Sequence, residues 1–366
     1  MNLLMVARPF AFHGGVETAT AGMLTALVER GHDVHVLSPG AQAPIRGLTV
    51  HRLRVPPLPR TLRMLAIAAL VRSALARGRW DTVQSHERTL GQDLYRAGEG
   101  CHQGYLDSRE TRTSSRAVYH RIVVALEHRI FTRTPIILAI ARQGKSEIER
   151  RYPIESDRVL VVYNGVDLER FHPGNRVKHR SPARAEVGLP VGARLLLFVG
   201  TGFERKGLRT AIEAVAALDD RSARLLVVGR GDVVTYRALA RRLGVDDRIV
   251  WLDPQRRIER WYAAADVLVL PARYEPFGNV HLEALASGLP VVTSTRSGGA
   301  EIVTEGITGA IRDPDDGKGV AEGVRLMLDR PAQETVDACR RAAEPYTFRR
   351  QAETLEDIYR RVARKP

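Results

Sequence analysis

Leu195-Leu196-Leu197-Phe198-Val199-Gly200-Thr201-Gly202-Phe203-Glu204-Arg205-Lys206-Gly207-Leu208 is the stretch on which the fold turns. Five apolar residues in a row, with no charge among them, read as a strand buried on both faces. Glycines at 200 and 202 then turn the chain, and an amphipathic stretch follows. Strand, turn and helix in that order make half of a βαβ unit, and a sheet built from such units is parallel.

Four more apolar runs follow, at residues 224–228, 248–252, 267–270 and 290–293, with amphipathic stretches between them. The first half of the chain repeats the pattern more faintly. Residues 2–6 read as a strand, and residues 16–30 set Val16, Ala19, Met23, Leu24, Leu27 and Val28 on one helical stripe. Gly31 supplies a left-handed cap, and residues 34–37 read as the next strand. Residues 49–53, 81–85, 136–140 and 159–162 are further candidate strands. Asn164-Gly165-Val166-Asp167 is a turn sequence, and residues 172–190, with three prolines and little periodicity, read as a linker.

A chain of 366 residues suits two domains. The expected architecture is α/β: two doubly wound Rossmann-like domains facing across a cleft. They are placed at residues 1–172 and 173–345, with residues 346–366 forming a helix that crosses back to the first. Ligands of such sheets bind beyond the carboxyl ends of the strands.

Composition narrows the chemistry. The chain is 44% hydrophobic and 27% charged, an ordinary globular balance. No apolar run approaches the roughly 20 residues of a spanning helix. The N-terminal run stops at Arg8, which suits a buried strand better than a secretion signal. Cys101 and Cys339 form no pair motif, which points to a reducing cytoplasm. Lys and Arg number 56 against 42 acids, a formal charge of +14, so the natural partners are anionic. Residues 34–80 hold eight arginines and no acid. Residues 119–133 set Arg121, Arg129, Arg133, His120 and His128 around Ile122, Val123, Val124, Leu126, Ile130 and Phe131. Both segments suit an anionic membrane surface or a phosphorylated glycolipid.

Two segments carry the candidate chemistry. Arg205 and Lys206 are adjacent cations at a strand-to-helix turn, suited to a diphosphate. Tyr274-Glu275-Pro276-Phe277-Gly278-Asn279-Val280-His281-Leu282-Glu283 directly follows another apolar strand. Its two glutamates fall one in the loop and one a turn into the next helix. Glu283 can accept both hydroxyls of a ribose and Glu275 a sugar hydroxyl, while Gly278 and Asn279 offer backbone N–H groups. His86, at the end of the strand 81–85, is a candidate to bond a hexose or an acceptor, and Glu87 is a lesser one. Asp313-Pro314-Asp315-Asp316 mimics a metal-binding Asp-x-Asp but reads as a turn whose acids cap a helix, so no metal is expected.

The Arg205-Lys206-Gly207 and Glu275 to Glu283 elements, with Ala263-Ala264-Ala265-Asp266-Val267 and Ser287-Gly288-Leu289-Pro290-Val291-Val292, resemble the family 4 retaining glycosyltransferases of the GT-B fold. Gly14-Gly15 and Asn164-Gly165-Val166-Asp167 match the same pattern, so the likeness covers nearly the whole chain. Gly91-Gln92-Asp93-Leu94-Tyr95, Cys101, the basic stretch 109–133 and residues 202–207 are most similar to the lipopolysaccharide core glucosyltransferases of that family. This chain departs from them at Pro276-Phe277 and at Glu99, where they carry an aspartate.

The resemblance implies that Arg205 and Lys206 hold the donor diphosphate, Glu283 the ribose and Glu275 the donor sugar. The backbone of Phe277, Gly278 and Asn279 would meet the sugar and β-phosphate, Gly14 and Gly15 would let the first loop approach the phosphates, and Glu99 would join the donor site. His86, Arg205, Lys206 and Glu275 are then the catalytic set. It further implies transfer of a hexose, with glucose from UDP-glucose as the first expectation, to a glycan or glycolipid such as lipopolysaccharide core heptose. No cofactor or metal is needed beyond the nucleotide sugar, and the location is the inner face of the cytoplasmic membrane. A different donor such as GDP-mannose is the alternative within the family, and a nucleotide-sugar epimerase the alternative outside it. A nucleic-acid partner finds no zinc knuckle, helix-turn-helix or aromatic signature.

Overall fold

The computed structural model describes residues 1–9, 15–76, 78–109, 117–190 and 192–363. The chain forms two compact units: Met1–Gly165 with Phe348–Pro366, and Val166–Thr347.

The first unit runs β1 (Asn2–Val6), α1 (Gly15–Glu29), β2 (Asp33–Ser38), β3 (Leu48–Arg52), α2 (Arg60–Leu75), β4 (Thr82–Ser85) and β5 (Leu94–Arg96). It continues through α3 (His102–Asp107), α4 (Ala117–Arg133), β6 (Ile136–Ala139), α5 (Arg142–Arg151) and β7 (Val159–Val161). The second runs α6 (Asn175–Glu186), β8 (Leu195–Val199), α7 (Leu208–Ala217), β9 (Arg224–Val228), α8 (Val233–Arg242), β10 (Ile249–Leu252) and α9 (Glu259–Ala264). It ends with β11 (Val267–Leu270), α10 (Asn279–Ala286), β12 (Val291–Ser294), β13 (Gly309–Arg312), α11 (Gly317–Leu328) and α12 (Ala332–Ala343). The last helix, α13 (Phe348–Val362), belongs to the first unit.

Every strand pair is parallel. The first sheet has the order β3-β2-β1-β4-β5-β6-β7 and the second β10-β9-β8-β11-β12-β13. Both are doubly wound. The chain leaves β1 and β4, or β8 and β11, toward opposite sides, so a crevice opens between their carboxyl ends. The apolar runs fill the layers between sheet and helices: Leu196, Phe198, Leu225, Val227 and Val269 are sealed in the second unit, and Leu3, Met5, Val34 and Val36 in the first.

The strand readings at 2–6, 195–199, 224–228 and 267–270 coincide with β1, β8, β9 and β11. Residues 172–190 are not a linker. Most of that stretch is α6, whose Arg180 and Arg184 donate to the carbonyl oxygens of Ala264 and Ala265 and to Asp266 at 2.6 and 2.7 Å. Those arginines satisfy buried carbonyls at the C-terminal end of α9, a demand that periodicity cannot register, and Pro182 sits inside the helix. The units divide instead at Gly165 and Thr347, not at residues 172 and 345. Strand β5 is three buried residues, too short for a hydrophobic run to announce.

Helix α13 packs on α1 and seals it with charge. Glu356 accepts from Arg30 Nε and Nη2 at 2.5 and 2.8 Å and bonds His32 Nε2 at 2.8 Å. These bonds, with Arg30 the largest influence, hold its carboxyl down to about 2 from an ordinary 4.5. A carboxylate held low stabilises the fold above its unfolded pKa and loses that contribution as pH falls toward the folded one. Comparing the protein with Glu356→Gln by denaturant titration, we expect a stability difference that is full above about pH 5 and shrinks steadily toward pH 2. A difference that ignores pH in that window contradicts the linkage.

Candidate functional site

In the second unit, the loops leaving β8 and β11 are stitched together. Arg273 N–H donates to Arg205 O at 2.9 Å, and Arg205 Nη1 donates to Tyr274 O at 2.9 Å. The stitch needs Gly207, whose φ of +77° is left-handed; a Cβ there would lie 1.8 Å from Pro271 O. No side chain of any size fits.

The stitch brings together the charged residues singled out from the sequence. Glu275 Oε2 meets Arg205 Nη1 at 3.0 Å and also contacts Lys206 Nζ. Lys206 and Glu275 are buried, and Glu275 is fixed through its backbone as well: its N–H donates to Arg296 O, and its carbonyl accepts from Gly298 N–H at 2.8 Å. Burial alone would raise the Glu275 carboxyl, yet Lys206 and Arg205 outweigh it and hold the group at about 2. Burial lowers the Lys206 ammonium, with Glu275 opposing. The Glu275 carboxyl is ionised at neutral pH, and its contact opposes loss of the Lys206 proton. The cluster therefore holds two cations against one carboxylate, a net positive charge at the sheet's switch point.

Glu283 lies five residues into α10 and is also buried. Tyr262 on α9 donates its hydroxyl to Oε2 at 2.7 Å, while Oε1 has no donor among the described residues. Burial raises this carboxyl, with the Tyr262 bond, Arg170 and Lys206 opposing, so Glu283 shares an electrostatic neighbourhood with Lys206.

Helices α7 and α10 both begin beside this cluster, capped by Gly207 and Gly278 with no side chain on their first amides. The positive ends of the two helices favour an anion. Phe277 is fully buried, so only its backbone is available, and Asn279 is the first residue of α10.

His281 and Tyr262 carry no role in the sequence reading. His281 is sealed, its Nδ1 bonding Gly278 O and its Nε2 bonding Thr293 Oγ1, both at 2.8 Å. Burial takes its pKa to about 4, so it is neutral; a carbonyl only accepts, so Nδ1 carries the proton. It thereby locks the left-handed Gly278 at the start of α10. Tyr262 adjoins the Ala263-Ala264-Ala265-Asp266-Val267 element, and that adjacency was the available signal.

The remaining sequence candidates belong to the first unit. Gly14 lies outside the described residues, and Gly15 opens α1. Glu99 is paired with Arg8 at 2.7 Å and Arg88 at 2.9 Å; Arg8 also binds Glu87 at 2.9 Å. Burial would raise Glu99, but the two arginines take it to about 2. His86 directly follows β4, with Nδ1 3.4 Å from Thr20 Oγ1 and Nε2 2.7 Å from Gln84 Nε2. Burial, then Arg96 and Arg8, keep it well below its ordinary pKa and hence neutral. Asp316 caps α11 through Gly319 N–H at 2.9 Å, and Asp315 pairs with Arg273 at 3.0 Å and Arg296 at 3.5 Å.

The apolar side of α4 is spent on the core, where Val123, Leu126, Ile130 and Phe131 are buried, so its exposed face is basic rather than amphipathic. Large exposed apolar residues lie on α2, at Leu62, Leu65 and Leu70, and at the start of α4, at Val118.

Comparison with known proteins agrees over the whole chain. Residues 180–345 match the model described as glycosyl transferases group 1, and residues 13–170 that of glycosyltransferase family 4. An uncharacterized glycosyltransferase of Methanocaldococcus jannaschii is 27% identical over 95% of this chain and 94% of its own. A D-inositol 3-phosphate glycosyltransferase of Xylanimonas cellulosilytica is 28% identical over 96% and 93%. One from Catenulispora acidiphila reaches 37%, but over 53% of this chain and 48% of its own. Among solved structures, WaaG, a glycosyltransferase involved in lipopolysaccharide biosynthesis, superposes with a TM-score of 0.83 at 25% identity, covering 98% of this chain and 99% of that one.

Removing one member of a buried ion pair strands the other. Glu275→Gln is expected to destabilise the second unit by about 3–5 kcal/mol, and Lys206→Met added to it to restore part of the loss. Denaturant unfolding of the two variants checks this; additive losses would show that the charges are not coupled.

Proposed function

For a chain that belongs to the family 4 glycosyltransferases, we infer a retaining hexosyltransferase whose donor is a nucleoside diphosphate sugar held in the second unit. The observation that carries this is the buried Lys206, paired with Glu275 beside two helix N-termini that lack side-chain caps. Arg205 and Lys206 take the diphosphate, the first amides of α10 the β-phosphate, Glu283 the ribose hydroxyls through its open oxygen, and Glu275 a sugar hydroxyl. UDP-glucose is the first donor to try.

Cleavage of the glycosyl–phosphate bond builds negative charge on the departing diphosphate. Cations fixed before the reaction stabilise it without reorganising, usually the largest catalytic contribution. Arg205 is partly exposed, while Lys206 is buried. Glu275 balances both cations and is a poor glycosyl nucleophile in that state. The acceptor hydroxyl therefore attacks the face that the diphosphate leaves, passing its proton to a β-phosphate oxygen, and the anomeric configuration is kept. No metal is required, because the two cations do its work at the diphosphate.

Two acceptor classes remain. WaaG, by its title, works in lipopolysaccharide biosynthesis, which favours a glycolipid; the relatives named D-inositol 3-phosphate glycosyltransferases favour a small phosphorylated polyol. The surface argues for the glycolipid. On α2, Arg60 and Arg63 are exposed beside Leu62 and Leu65, and α4 exposes Arg121, Arg129 and Arg133. Such a face suits an anionic bilayer. No helix of the described residues is long and apolar enough to cross a membrane.

Arg205→Ala is expected to lower kcat by about a hundredfold or more, with full wild-type activity in excess EDTA. A ligand that binds only the folded form raises Tm, so UDP, GDP and ADP are screened by thermal shift. Near-normal turnover of Arg205→Ala, or no shift with any of the three, refutes the site. For the surface, anionic vesicles should float the protein and lose it on Leu62→Ser with Leu65→Ser; equal flotation of both proteins removes the membrane reading.

A further inference from the structure

Arg96 ends β5 and is 6% exposed. Its guanidinium carries five N–H donors, but only one acceptor meets it among the described residues: Asn164 Oδ1, bonded by Nη2. No carboxylate of the described residues pairs with it. The contrast with its neighbours is sharp. Arg8 is matched by Glu87 and Glu99, Arg88 by Glu99 and Glu127, and Arg30 by Glu353 and Glu356.

A buried charge without a counter-ion is costly, and an apolar or neutral residue of similar length would remove that cost. Here burial pulls even the guanidinium down to about 10, with Tyr359 the one opposing influence. The surroundings are arranged for the group all the same. Gly98 has an ordinary backbone conformation, yet a Cβ there would stand 2.5 Å from Arg96 Nη1. Glycine at 98 therefore keeps room for the guanidinium. His86, which feels Arg96 and Arg8 electrostatically, is held neutral: Tyr359 donates to Gln84 Oε1 at 2.8 Å, and the Gln84 amide then donates to His86 Nε2. His86 thus adds no charge of its own beside Arg96. The place is the carboxyl end of a doubly wound sheet, where such folds take ligands.

We propose that Arg96 is the receptor for a phosphoryl group of a substrate, seated on those of its N–H donors that no described residue meets, with Gly98 keeping the guanidinium's own place open. The ligand is the missing counter-ion, and the planar fork of arginine suits phosphate oxygens. The proposal rests on the glycosyltransferase reading, since such an enzyme has two possible sources of that group: a phosphate on the acceptor, or the diphosphate of the donor.

The test is titration calorimetry of the full chain with inorganic phosphate, glucose 6-phosphate and UDP. It is repeated on Arg96→Gln and on Gly98→Ala, which crowds Nη1 while keeping the charge. We expect both variants to lose about tenfold or more in affinity for glucose 6-phosphate and phosphate, with UDP binding unchanged, which assigns the group to the acceptor. The same loss for UDP alone assigns it to the donor. Unaltered affinity for all three ligands in both variants overturns the proposal, as does a wild-type protein that binds neither phosphate nor glucose 6-phosphate while UDP binding ignores the substitutions. Should Arg96→Gln fail to fold, by circular dichroism, Gly98→Ala decides alone. A wild-type protein that binds no nucleoside diphosphate counts against the donor site of the second unit, whereas its phosphate affinity still reports on Arg96.

Discussion

The carboxylate of Glu275, shared between Arg205 and Lys206, is the contact on which the second unit's site depends. Without it, two cations would stand side by side at the end of a sheet, one of them buried. With it, they are held in place and one unit of positive charge is left over. The site is thus charged for an anion before any anion arrives, and its geometry does not have to form around the ligand. The Arg205–Tyr274 and Arg273–Arg205 bonds make the arrangement rigid by tying the two loops together.

Both units use the same strand order, and in both the loops after the first and fourth strands carry charge. The balance differs. In the second unit the cations exceed the carboxylate. In the first, Arg8 and Arg88 are woven into a chain with Glu87, Glu99 and Glu127, and Glu127 is closed off further by the Tyr152 hydroxyl at 2.6 Å and His102 N–H at 2.8 Å. That chain orders the carboxyl end of the sheet and leaves Arg96 as the unbalanced charge. A common fold therefore presents two different electrostatic surfaces, set by where acids were placed beside the same type of loop.

The C-terminal helix is part of this design. By returning to the first unit, α13 brings Tyr359 to Gln84 and Glu356 to Arg30 and His32. The first bond fixes an amide that in turn fixes the tautomer of His86, three residues of α13 and β4 with its following loop acting in series. Arg340 on α12 plays a related part in the second unit, donating to the carbonyl oxygens of Leu168, Phe171 and Ala286.

The sequence by itself determined the sheets, because each long strand is a run of apolar residues that only a covered parallel sheet can bury. It also determined that Arg205, Lys206, Glu275 and Glu283 lie at strand ends, since each motif follows such a run within a few residues. What it could not determine was anything requiring a partner from elsewhere in the chain. The helix over Asn175–Glu186 looks like a linker until α9 is set against it, and β5 looks like nothing until β4 and β6 flank it. The apolar stripe of α4 reads as a membrane face until the core claims it. Only the tertiary structure showed that Tyr262 holds Glu283, that His281 is a sealed brace, and that Arg96 is buried against the Asn164 amide. Periodicity reports which side of an element is buried, but charge compensation is a property of neighbours distant in sequence, and those are chosen by the fold.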